Sequence, residues 1–165
     1  MAINRKSTLP RIHADERGSW KKKTLKLLHA ELTEQIIGVY YDVYNEIGHG
    51  FLESVYSNCM YAALNTAKIS VRREVPIPVY FRGYDVGQFK ADLMIQDCVL
   101  IELKAVQNLD RSHEAQVMNY LRATQLEVGL LLKFGSSKPQ FRRIVFENSN
   151  KKIRVHPRAS AVGNS

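Results

Sequence analysis

The stretch from Ala91 to Lys104, Ala-Asp-Leu-Met-Ile-Gln-Asp-Cys-Val-Leu-Ile-Glu-Leu-Lys, constrains this chain more than any other. It is mostly apolar, carries several β-branched residues, and is interrupted once, at Gln96-Asp97. That pattern predicts two buried strands joined by a tight turn. Buried strands carry charge only for a reason, because taking an unpaired ion out of water is expensive. Apart from the turn's own Asp97, this stretch holds Asp92, Glu102 and Lys104. Glu102 and Lys104 are two positions apart on one strand, so both project from the same face. The side on which Asp92 falls depends on the turn. A plain two-residue turn pairs Ile95 with Cys98 and Asp92 with Ile101, which sends Asp92 to the face opposite Glu102. A three-residue turn or a bulge brings the two carboxylates to one face. If the three groups act together, an irregularity must lie between residues 92 and 102.

The flanking sequence supplies elements to cover such a pair of strands. Ile36, Ile37, Tyr40, Val43, Tyr44 and Ile47 recur at helical spacing, with Thr33 as the expected N-cap and Gly48 and Gly50 as the stop. A second helix, roughly Leu52 to Ala67, has Leu52, Val55, Tyr56, Cys59, Met60 and Ala63 as its apolar stripe. The link between them is so short that the helices must turn sharply against each other. A strand from near Ile69 follows, and Pro76 and Pro78 mark it as an edge or a strand start because they lack backbone donors. Arg82-Gly-Tyr-Asp85 reads as a hairpin turn leading into Val86–Ile95 and then Cys98–Val106, an antiparallel meander. A third helix is expected from about Arg111 to Ala123, capped by Asp110 or Ser112. The apolar run Val128–Phe134 after it reads as a strand reached by crossover and buried in the same sheet. Phe141–Glu147 is a further candidate strand.

A metal-assisted chemistry fits the three charged groups. Hydrolysis of a phosphodiester needs a divalent cation to activate water and neutralise charge on the phosphoryl oxygens. Mg²⁺ is commonly held by one or two carboxylates together with waters and substrate oxygens. Asp92 and Glu102 offer the carboxylates, and Lys104 offers a cation that can orient or help deprotonate the water. The formal net charge of +8 and pI of about 9.6 favour a polyanionic partner, nucleic acid or an anionic membrane surface. Competing chemistries leave no signature. The histidines do not cluster at zinc spacing, no Gly-rich phosphate loop follows a strand, and no Gly-x-Ser-x-Gly elbow occurs.

At this point the chain resembles a known family. Asp92 followed by Glu102-Leu-Lys104 after an apolar strand is similar to the Asp…Glu-x-Lys pattern of the PD-(D/E)XK nuclease superfamily, with Ala91 where that motif often has proline. Gly50-Phe-Leu-Glu53-Ser-Val-Tyr56 matches the signature of the GxxExxY protein family, and Gln116-Val-Met-Asn-Tyr120-Leu121 matches its Gln-x-x-x-Tyr-Leu helix. The resemblance runs from about Leu32 to Arg143. It implies an α/β, restriction-endonuclease-like core: a central mixed β-sheet, made of an antiparallel meander plus a crossover strand, flanked by α-helices. It also implies that Glu53 faces Asp92 and Glu102 as a third carboxylate. The expected site is therefore Asp92, Glu102 and Glu53 as ligands of Mg²⁺ or Mn²⁺, with Lys104 and Gln116 as catalytic groups. The expected activity is metal-dependent cleavage of nucleic acid, DNA favoured over RNA, with a homodimer allowed. The alternative is a non-catalytic nucleic-acid- or partner-binding module that keeps the fold.

Outside that set, Arg142 and Arg143 are candidate phosphate contacts, and Lys151 and Lys152 extend the basic character into the tail. Tyr56 reads equally as core or functional, Tyr120 as packing, and Glu74 as a salt-bridge partner for Lys90. The expected domain spans residues 31–148, between a basic, flexible leader (1–30) and a basic tail (149–165). The 45% hydrophobic content is ample for its core. Cys59 and Cys98 show no metal-ligand spacing and read as buried thiols of a reducing cytoplasm. No apolar run has the length of a transmembrane helix.

Overall fold

A computed structural model describes residues 28–150. Helix α1 (Ala30–Ile47) and helix α2 (Glu53–Thr66) come first. They are followed by strands β1 (Val71–Phe81), β2 (Tyr84–Ile95) and β3 (Val99–Lys104). Helix α3 (Arg111–Ala123), strands β4 (Val128–Lys133) and β5 (Gln140–Val145), and a short 3₁₀ turn (Asn148–Asn150) complete the order. The five strands form one sheet in sequence order, antiparallel except for the parallel β3–β4 pair, which α3 joins by crossover. The mixed α/β sheet expected from the sequence is the one observed.

Helices cover both faces of the sheet, so β3 and β4 are buried but for Lys104 and are apolar on both faces, with Glu102, Lys104 and Lys133 as the charged exceptions. On one face Ile36, Tyr40 and Val43 of α1 and Tyr56, Met60 and Leu64 of α2 pack on Ile101, Leu103, Leu130 and Leu132. On the other, Val117 and Tyr120 of α3 pack on Leu100, Met94 and Leu131. Phe134, just past β4, is the hub of the first face: Tyr56 stacks on it at 4.2 Å and Tyr40 meets it edge-on at 4.9 Å.

Boundaries follow local chemistry. Helix α1 starts three residues before Thr33; Thr33 is buried and its hydroxyl donates to the Ala30 carbonyl, so it braces the first turn rather than capping it. Gly48, at φ 69°, ends the helix by donating to the Tyr44 carbonyl. Helix α3 matches its expected span, and Asp110 caps it: its carboxylate accepts from Ser112 N and His113 N, while His113 Nδ1 accepts from Asp110 N. Asp110→Ala will lower the Tm by roughly 3–6 °C, and Asp110→Asn will restore most of it, measured by thermal melts. β1 is an edge strand, as its prolines predict. Cys59 and Cys98 are half-buried free thiols rather than fully buried ones. No helix among the described residues is long and apolar enough to cross a membrane. Lys151 and Lys152, with residues 1–27 of the leader, lie outside the described residues.

Candidate active site

The turn between β2 and β3 decides the site. Ile95 pairs with Val99, Met94 with Leu100, and Leu93 with Ile101. The connection is therefore three residues, 96–98, not two. Gln96 (φ 48°) and Asp97 (φ 54°) both take left-handed conformations, and Cys98 N closes the turn onto the Ile95 carbonyl at 3.0 Å. Contacts from the start of β1 and the residue before it hold this uncommon backbone: Gln96 N donates to the Ser70 carbonyl, and Asp97 is ion-paired with Arg72. One further step along this register sets Asp92 opposite Glu102.

That step is also where β2 leaves β3. β3 stays paired with β4 as far as Lys104, but β2 accompanies it for only three positions. The backbone donors on the abandoned edge are taken by carboxylates. Leu103 N donates to Asp92 Oδ2 at 2.7 Å, and Ala105 N donates to Glu53 Oε2 at 3.2 Å. Asp92 and Glu53 thus finish the ladder that β2 left open.

Glu102 projects into the wedge between the strands. It is 3% exposed; Oε1 accepts from Lys104 Nζ at 2.6 Å, and buried Oε2 has no hydrogen-bond partner. Burial, then the charge of Asp92, pushes the Glu102 carboxyl up from 4.5 to about 7, more than Lys104 can offset. Asp92 is raised for the same first reason, burial, with Glu53 adding to it and the Leu103 N–H opposing. Burial works against the Lys104 ammonium, yet Glu102, Glu53 and Asp92 outweigh it and hold its pKa above the ordinary value. Glu53 Oε1 stands 3.8 Å from that ammonium.

Glu53 owes its place to the α1–α2 connection. It opens α2, and the buried Tyr56 one turn later fastens the preceding loop, accepting from Phe51 N at 3.1 Å and donating to the Gly48 carbonyl at 3.2 Å. Gly50, at φ 110°, makes the bend. Tyr56 therefore acts from the core on the loop that carries Glu53.

From the opposite face, Gln116 Nε2 donates to the Tyr120 hydroxyl at 2.5 Å, and that hydroxyl donates to the Lys90 carbonyl at 3.1 Å. Burial, with the charges of Glu102 and Asp92 behind it, pushes the Tyr120 hydroxyl up to about 12. Tyr120, which reads as packing in the sequence, is thus also a neighbour of the acidic pair, and Gln116 reaches the pair through it. Their i, i+4 spacing was the signal available. Glu74 pairs with Lys90 at 3.1 Å, as expected.

Arg142 and Arg143 part company. In register, Glu102 lies beside Leu131 and Leu131 beside Arg142, so Arg142 shares the Glu102 face; there it pairs with Glu114 at 3.6 Å. Arg143 points the other way and donates to the Leu28 carbonyl. One feature had no counterpart in the sequence reading. Lys133, beside Lys104 in register, is 2% exposed, and its ammonium donates to the Gln107 carbonyl at 3.0 Å and Ser136 Oγ at 2.7 Å. It ties together the two loops that follow β3 and β4. Gly135 lies in the same seam, where a Cβ would sit 2.3 Å from Val106 N.

As arranged, the described residues gather no three His, Cys, Asp or Glu side chains into a ready-made cluster for an ion. Glu53 is turned to Ala105 and Lys104. A buried, partnerless oxygen on Glu102 beside a second raised carboxylate is nevertheless the donor set that suits a hard divalent cation, which needs only one or two carboxylates and completes its shell with water.

A sequence profile of the PD-(D/E)XK nuclease superfamily matches residues 30–144. The chain belongs to that superfamily. No curated protein matches it. A solved structure described as the crystal structure of SSO0001 is similar at 18% identity and TM-score 0.48, covering 58% of this chain and 50% of that one. This chain thus spans half the length of that protein.

Proposed function

We propose that this protein is a metal-dependent nuclease of the GxxExxY type that hydrolyses phosphodiester bonds in nucleic acid, DNA ahead of RNA. The observation carrying this reading is the unpartnered, buried Glu102 Oε2 beside Asp92 and Lys104. Asp92 and Glu102 would hold a Mg²⁺ or Mn²⁺ ion, and when bound that ion would activate water and offset phosphoryl charge. Glu53 supports the site by anchoring Ala105 and balancing Lys104. The acidic surroundings keep Lys104 protonated at neutral pH, so its role is to orient the attacking water and counter developing negative charge. Gln116 and Tyr120 fix the position of β2 through the Lys90 carbonyl. Arg142 is the phosphate contact on the same sheet face, and Arg143 takes no part.

The test is a cleavage screen of single- and double-stranded DNA and RNA with Mg²⁺ or Mn²⁺, with the Lys104→Ala protein as control. Cleavage by the parent and none by Lys104→Ala is the expected result. Binding that weakens steeply with salt, with no cleavage under any condition, would instead assign the chain to a non-catalytic binding module.

A further inference from the structure

The hairpin of β1 and β2 runs on past the site as a two-stranded arm, and its far end is apolar where it should be wet. Phe81 is 60% exposed, Tyr84 75%, Val86 58% and Phe89 36%. Phe81 pairs with Tyr84 and Ile77 with Phe89, and Ile77, Val79 and Phe81 alternate along one face of β1. Phe81, Tyr84 and Phe89 therefore share a face. It is the face of α3, because the Phe89 ring lies 5.4 Å from that of Tyr120. Tyr120 in turn borders Glu102 and Asp92. A line of exposed rings thus leads outward from the acidic wedge. At its end the Arg82 guanidinium lies 5.1 Å over the Phe81 ring.

Two features narrow what this face can hold. Pro76 and Pro78 remove donors from the edge strand, so a strand of another protein has a poor template there. Glu74, Arg82, Asp85 and Lys90 cancel in charge along the arm, so attraction there comes from rings rather than from a basic patch. Rings leading away from a phosphodiester-cleaving centre, on a chain of net charge +8, suit the flat faces of bases. Duplex bases hide those faces in their own stack.

We infer that the Phe81–Tyr84–Phe89 face of the arm stacks unpaired bases of the strand being cleaved, so that the substrate is single-stranded where it runs from the cut along the arm. This rests on the nuclease reading above. The experiment measures binding by anisotropy in chelator, using the full chain and a dye-labelled, mixed-sequence DNA strand, alone or annealed to its complement. The parent will prefer the single strand. A Phe81→Leu, Tyr84→Leu protein, which keeps apolar area but loses the rings, will bind it more weakly by roughly fivefold or more per ring, with duplex binding and Tm unchanged. Equal binding of the single strand by parent and variant overturns the inference and leaves the nuclease reading standing. So does a parent that prefers duplex. A parent dimer that the variant dissolves, seen by sedimentation, assigns the face to a second copy and also overturns it. A parent that binds neither DNA also overturns the inference, and the nuclease reading is then decided by the cleavage screen with metal.

Discussion

Asp92→Asn and Lys104→Met proteins will lose metal-dependent cleavage by a factor of roughly 10²–10⁴ while retaining the parent's fold. Asparagine keeps an oxygen for the Leu103 N–H, so the 2.7 Å bond that closes the fork survives and only the charge is lost. Methionine keeps the Lys104 stem in its half-buried slot but removes the ammonium 2.6 Å from Glu102. Glu53→Gln will cost less, because the amide oxygen still receives the Ala105 N–H. Single-turnover cleavage at saturating Mg²⁺ or Mn²⁺ measures each effect, and circular dichroism melts show that folding is intact. Parent-like rates in Asp92→Asn would remove the acidic wedge from the mechanism.

Without a cation, the same wedge burdens the fold, and Glu102→Gln exposes the burden. The folded carboxyl is raised from 4.5 to about 7, so between these values the native protein holds a proton that the unfolded chain has released. Stability therefore falls as pH climbs through that window and levels off above it, by roughly 3 kcal/mol in all. Asp92, also raised, acts in the same direction. Glutamine carries no such penalty. In chelator, the variant will match the parent near pH 4 and exceed its stability by roughly 3 kcal/mol at pH 8, read from urea unfolding at fixed pH values. A parent that gains stability between pH 5 and 7 would contradict this assignment of burial and charge.

The sequence made the sheet legible because its periods are strong. Alternation and proline placement marked β1 as an edge, and Asp110 marked the start of α3 where it is observed. The pairing of Asp92 with Glu102 could be posed as a question but not answered. Gln96-Asp97 is not an Asn-Gly type of signal, and its left-handed conformation is held by Ser70 and Arg72, about 25 residues earlier at the entry to β1. Tyr56 and Tyr120 were visible as motif residues, while the partners of their hydroxyls arise only from tertiary packing. Lys133 was hidden because a lysine ending an apolar run gives no hint that two loops will fold over it. The divergence of Arg142 from Arg143 was there to be read, since neighbours on a strand always face apart.

The three-residue count between Ile95 and Val99 has a consequence for how this chain tolerates change. β3 is aliphatic on both faces except at Glu102 and Lys104, so a slip of one position would drive the Glu102 carboxylate into the apolar face covered by α1 and α2. What must be kept is the pairing of Ile95 with Val99 rather than the length of the turn: a shorter or longer turn that keeps this pair leaves Asp92 opposite Glu102, and one that shifts the pair by a single position sets the two acids back to back. Length variation here is therefore tolerated where the strands hold their register, and it separates the two acids where they slip.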